Sequence, residues 1–155
     1  TLCIMHLNIR SIRNKLDSLK NLNDSLNKNL DIMGLTETRL NKNGCEQYYN
    51  LEGYDYVGIN RTNKKGGGVC IYIKEQLNHK NREDLTTNIE DIFESVFIEI
   101  FTTIGKNIIV GVIYRPPNNK FEIFENAMNE LLNKIDSENK ICYLMGDFNI
   151  DLLQL

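Results

Sequence analysis

The chain contains no tryptophan, two prolines, and no apolar run near the ~18 residues that a membrane-spanning helix needs. No membrane anchor is expected. A basic-then-apolar leader is also missing, and the sequence starts almost inside a strand, as expected of a fragment or trimmed domain. The four cysteines (Cys3, Cys45, Cys70, Cys142) lack CxxC spacing. Cys3, Cys70 and Cys142 sit in apolar strand-like runs, where cysteine behaves as a small buried hydrophobe. This argues against a zinc site or disulfide framework and for a reducing intracellular compartment, nuclear or cytoplasmic. Positive charge is not in excess either. The net charge is −3, so no global field draws nucleic acid. The local basic clusters Arg10/Arg13/Lys15, Arg61/Lys64/Lys65 and His79/Lys80/Arg82 each read as a solvated loop or helix start. Gly66-Gly67-Gly68 lacks the Lys-Ser/Thr of a P-loop and the helix of a dinucleotide fingerprint. It reads as a bend before a strand, with close approach to a phosphate as the alternative.

What is present is ordinary soluble composition: 155 residues, 41% hydrophobic and 25% charged, enough for a single domain spanning 1–155. Leu2–Leu7 is apolar on both faces apart from His6 and reads as a central strand, with His6 as a core or partly satisfied histidine rather than a catalyst. Leu16, Leu19, Leu22 and Leu26 form a helical stripe within 14–28, and Leu30–Leu35 is a second apolar strand. Asn41–Gly53 is polar and loop-like, Tyr54–Ile59 a weak strand, Asn60–Lys65 a basic turn and Val69–Ile73 a strong strand. Lys74–Asp91 is expected to be a mobile surface loop. Val96–Phe101 and Ile108–Ile113 read as an antiparallel hairpin. Asn119 with Glu122 makes a capping-box signal, and Phe121, Phe124, Met128, Leu131, Leu132 and Ile135 give the stripe of a second helix. Ile141–Met145 is a short buried strand, followed by Gly146 as a turn residue.

Strand, helix, strand with short links is a βαβ unit, and its parallel strands share one exit edge. Two such units place Asn8 and Glu37 on one edge, and Tyr114 and Asp147 with Asn149 on another. Ligands of α/β folds gather at the carboxyl ends of strands. Singly, each residue is also a good cap or turn residue. Jointly they form an oxygen-rich, thiolate-free set that suits Mg²⁺ or Mn²⁺.

The stretches HLNIRSIRNKL, LTETRL, GGGVCIYIK, VIYRPPN and LMGDFNIDLL resemble the endonuclease domain of non-LTR retrotransposons, within the exonuclease–endonuclease–phosphatase superfamily. The resemblance covers nearly the whole chain. It implies an α/β fold, a four-layer αββα sandwich, and a metal-dependent phosphodiesterase that nicks DNA as a monomer. It also implies a reverse transcriptase domain in the parent polyprotein. By matching motifs, Glu37 looks like the metal ligand, assisted by Asn8. Tyr114 would contact the scissile phosphate, Asp147 would orient or deprotonate the attacking water, and Asn149 would hold the phosphate. The family pattern continues beyond GDFN to an Asp metal ligand and a Ser-Asp-His motif. This sequence stops at Leu155, and neither His6 nor His79 replaces that histidine. The expectation is a fold incomplete at the C-terminus, with an exposed sheet edge. The rivals are an inactive remnant and a superfamily phosphodiesterase or phosphatase acting on non-DNA phosphates.

Overall fold

The computed structural model describes residues 1–26, 29–40, 49–59, 66–89, 91–117, 120–151 and 153. Cys45, the basic turn at 60–65 and the Asn119 cap lie outside the described residues, as does most of the 41–53 loop. Among the described residues no helix is long and apolar enough to cross a membrane.

Alternating apolar residues build two sheets. In the first, β1 (Ile4–Asn8), β2 (Ile32–Thr36), β4 (Val69–Lys74) and β3 (Tyr54–Ile59) lie in the order β1-β2-β4-β3. The second has the order β5-β7-β8-β9, from β5 (His79–Asn81), β7 (Phe93–Ile100), β8 (Ile108–Tyr114) and β9 (Ile141–Asp147), with β6 (Thr87–Ile89) also paired to β7. Each sheet holds one parallel pair, β1 with β2 and β8 with β9. These are the two βαβ units, crossing over through α1 (Leu16–Ser25) and α2 (Phe121–Ser137). The β7–β8 hairpin is antiparallel, as expected.

Packing forms three apolar layers. Between the sheets, Ile32, Ile71, Ile73, Val96, Ile98, Val110 and Val112 interdigitate. Leu19 of α1 packs with Met33, Leu35 and Tyr72 on the outer face of the first sheet. Phe124, Leu131 and Ile135 of α2 cover Phe97, Ile109 and Ile113 on the outer face of the second. The result is the αββα sandwich.

Several expectations change. Among the described residues β1 pairs only with β2, so it is an edge strand, and its residues are half-buried rather than central. Of the α1 stripe only Leu19 is fully buried, Leu16 is partly buried beside it, and Leu22 and Leu26 stay exposed. The 74–91 segment is not simply a loop: β5 and β6 add to the long edge of β7, and Arg82 between them pairs with Glu99 of β7. α2 begins after Lys120, which makes no side-chain cap. Gly146 is not a turn residue. The strand runs through it to Asp147, and a Cβ there would lie 1.9 Å from the Ile113 carbonyl oxygen. Its glycine is required by the close approach of β9 to β8.

Candidate active site

Parallel pairing carries Asn8 and Glu37 to the same edge. Beyond the last strand residues the ladder continues, with Ile9 N–H donating to Thr36 O at 3.0 Å and Ser11 N–H to Glu37 O at 2.7 Å. In the second sheet, Tyr114 is in register with Asp147. The two edges meet at one side chain. Asn8 Nδ2 donates to Glu37 Oε1 at 2.9 Å and to Asp147 Oδ2 at 2.8 Å. Its Oδ1 accepts from the Arg10 backbone N–H at 3.2 Å, which fixes which way the amide faces. One neutral amide thus bridges two carboxylates across the sheets.

The Glu37 carboxyl is held below the usual glutamate range, first by the Asn8 hydrogen bond and then by Arg39, against a desolvation that acts the other way. Glu37 sits at φ +55. Such a conformation costs a non-glycine residue of order 1 kcal/mol and needs support from its surroundings. Support comes from the glycine bend: Gly68 O accepts Thr38 N–H at 3.2 Å and Gly67 O accepts Arg39 N–H at 2.8 Å. Gly68 itself has φ +90, and a Cβ there would fall 2.4 Å from Thr38 Oγ1. The glycine triplet therefore serves the Glu37 loop as a bend.

Asp147 Oδ1 accepts the Asn149 N–H at 3.2 Å. The Asn149 side chain donates to the Arg115 carbonyl at 2.7 Å, which ties it to the loop after β8. His6 is a partly satisfied, half-buried histidine. It lines a cavity of about 570 Å³ together with Asn8, Asp147, Phe148, Asn149 and Ile150. Its Nε2 lies 3.2 Å from Thr36 Oγ1, and burial lowers its pKa against the pull of Asp147. Tyr114 is buried at the top of the layer between the sheets. All five expected residues thus stand at one end of the sandwich, with Asn8, Asp147 and Asn149 on the cavity wall, Glu37 beside it and Tyr114 beneath.

The profile of the Endonuclease/Exonuclease/phosphatase family matches residues 5–153. This chain belongs to that family. No curated protein sequence matches it significantly. Among solved structures, it resembles the endonuclease domain of TRAS1, a telomere-specific non-LTR retrotransposon, with TM-score 0.70 and 15% identity over 99% of this chain and 61% of that one. It also resembles the AP endonuclease LMAP from Leishmania major, with TM-score 0.67 and 17% identity over 95% of this chain and 54% of that one. The 3′ phosphatase NExo from Neisseria, bound to product DNA hairpin, gives TM-score 0.59 and 18% identity over 97% and 58%. At these identities the likeness shows the fold. The chain spans under two thirds of each structure's length.

Two supports of this endonuclease/exonuclease/phosphatase site escaped the sequence reading. Arg115 of YRPP is buried, and its Nη1 donates to Asn149 O at 2.8 Å and Phe148 O at 3.3 Å. Its guanidinium also stacks over Phe121 and Phe124, at 5.6 and 5.4 Å from the ring centroids. YRPP therefore holds the GDFN loop through its arginine as well as stiffening its own. Glu94 on β7, in register with Tyr114, is 1% exposed and accepts the Gly68 N–H at 2.6 Å. It links the second sheet to the bend that supports Glu37. An acidic residue at the head of an apolar strand was the available signal.

Among the described residues no group of three or more His, Cys, Asp or Glu side chains converges as a self-sufficient metal cage. Glu37 and Asp147 form a sparse carboxylate pair, to which the Asn8 amide presents its nitrogen. The pair fits Mg²⁺ or Mn²⁺, which keep several waters and rely on one or two carboxylates.

Proposed function

We propose that this domain is a divalent-metal-dependent phosphodiesterase that nicks DNA, from a non-LTR retrotransposon polyprotein in which target-site cleavage primes reverse transcription. The observation that carries the reading is the Asn8 amide shared by Glu37 and Asp147 beside an open cavity. The retrotransposon motifs and the fold shared with a retrotransposon endonuclease support it.

In this reading Glu37 would hold the metal, and Asn8, whose Nδ2 faces both carboxylates, would assist by orienting them. The bound metal supplies Lewis-acid polarisation of a phosphoryl oxygen and stabilises the leaving oxygen. Asp147, held by the Asn8 amide and the Asn149 N–H, orients the attacking water and takes its proton. The water oxygen bonds to phosphorus in line as the bond to the leaving oxygen breaks. Asn149 and Tyr114 position the phosphate, which a rigid scaffold does at no reorganisation cost during the step. Asn8 keeps the two carboxylates in fixed relation.

Supercoiled-plasmid nicking with and without Mg²⁺ tests this, on the wild type, Glu37→Ala and Asp147→Ala. Metal-dependent nicking lost in both variants is the expected result. Hydrolysis of a small phosphodiester with no nicking would replace DNA as the substrate.

A further inference from the structure

Arg39 follows Glu37 by two residues and turns back on it. Its Nη2 donates to Glu37 Oε2 at 3.0 Å, while Asn8 takes Oε1. Both carboxylate oxygens are thereby engaged, one by a neutral amide and one by a cation. The two partners differ in freedom. The Asn8 amide is committed to Glu37, Asp147 and the Arg10 backbone at once. The Arg39 side chain is 48% exposed, and only its backbone is tied down, through Gly67 O. A cation ligated by Glu37 can share either oxygen through its remaining lone pairs, but it meets a neutral donor on Oε1 and a positive charge on Oε2. Like-charge repulsion falls on Arg39, and Arg39 is the partner able to move. Arg10, the other cation acting on Glu37, makes no hydrogen bond to the carboxylate among the described contacts.

We propose that Arg39 is the resident counter-cation of Glu37, yielding the carboxylate to a divalent ion and then offering its guanidinium to a phosphate of the substrate backbone. The inference rests on the reading of Glu37 as the metal ligand. Until the exchange, Arg39 holds a part-buried carboxylate in place. Afterwards its planar fork, anchored by a fixed backbone, stands beside the site with the geometry that phosphate oxygens accept. The two halves of the proposal pull in opposite directions. Removing the charge helps the metal and harms substrate binding, whereas a scaffold defect would weaken both.

The test measures Mn²⁺ affinity from the free-ion paramagnetic resonance signal, and affinity for a short DNA duplex in Ca²⁺ over a range of salt. The proteins are wild type, Arg39→Gln, Arg39→Lys and Glu37→Gln. Arg39→Gln is expected to bind Mn²⁺ roughly three- to tenfold tighter, as loss of an exposed ion pair and a repulsion allows. It is expected to bind the duplex more weakly, with a log–log salt slope reduced by about one phosphate contact. Arg39→Lys keeps the charge without the fork, so it retains near-wild-type Mn²⁺ affinity and still weakens the duplex. It carries the test should Arg39→Gln fold poorly. Unchanged or weaker Mn²⁺ binding in Arg39→Gln, with Glu37→Gln unable to bind, overturns this inference alone. Mn²⁺ binding by Glu37→Gln equal to wild type overturns the metal reading and this inference with it. Unaltered duplex affinity in both Arg39 variants removes the phosphate half.

Discussion

Strand β7 carries a fully buried glutamate toward each of its ends, and the two belong to opposite kinds of polar cluster. Glu99 is 1% exposed and meets Arg82 at 3.0 Å, Lys140 at 2.7 Å and Lys80 at 3.4 Å. Arg82 also forks onto Asp84 at 2.8 Å through both its Nε and Nη2, and bonds Glu138. Lys134 adds a pair to Asp84, so each of the three carboxylates there meets at least two cations, and Arg82 holds Asp84 in bidentate fashion. Glu94, at the other end, belongs to a rim where Glu37 and Asp147 share a neutral amide, with Arg39 pairing Glu37. The Glu99 cluster ties β7, α2 and the 79–84 segment together. The rim leaves negative charge beside a cavity. One cluster therefore pairs its carboxylates with the chain's own cations, while the other holds two carboxylates on one neutral amide beside a cavity.

The sharpest test of that contrast is Glu37→Gln, which should lower nicking by about a thousandfold, or ~4 kcal/mol of barrier, while unfolding free energy moves by less than ~1 kcal/mol. Equal losses in activity and in urea stability would erase the distinction. Arg82→Ala is the mirror case. It removes the partner that Glu99, Asp84 and Glu138 share, leaves Glu99 to Lys140 and Lys80, and should cost about 2 kcal/mol in urea unfolding with Mn²⁺ affinity retained.

Acid separates the regions next. Burial acts to raise the Glu99 pKa, but bonds from Lys140 and Asn107 and the nearby cations bring it to about 2. Asp84 and Glu138 are lowered too, each first by Arg82. A carboxyl whose folded pKa lies below its unfolded value stabilises above the unfolded value and loses that contribution as pH falls through the folded one. Acid unfolding should thus develop between the ordinary 4.5 and about 2, and Arg82→Ala should move its midpoint upward by circular dichroism. The smallest effect is Gly68→Ala. Its φ and the contact with Thr38 Oγ1 predict a stability cost of about 1–2 kcal/mol. The accompanying fall in Mn²⁺ affinity should be disproportionate, because the bend supports the Glu37 loop.

The sequence made the site legible where local rules sufficed. Parallel βαβ pairing put Asn8 beside Glu37, and Tyr114 beside Asp147, from apolar runs and helical stripes alone. Local rules do not say which strands lie inside a sheet, so β1 read as central when it is an edge. They also do not say which polar residues are buried: Glu94, Arg82 and Arg115 acquire partners only through tertiary contact. The glycine bend was legible as a bend, but its purpose depended on Thr38 and Arg39 from a distant strand exit.

The bridging amide of Asn8 has a spectroscopic consequence. Rotation about the amide C–N bond is slow, so its two hydrogens are inequivalent nuclei. One points at Glu37 and the other at Asp147. In a ¹⁵N-labelled sample a single nitrogen therefore carries two proton resonances, each a separate gauge of one carboxylate. Titration with a metal ion or a nucleotide should shift the two unequally and show, from inside one side chain, which carboxylate responded.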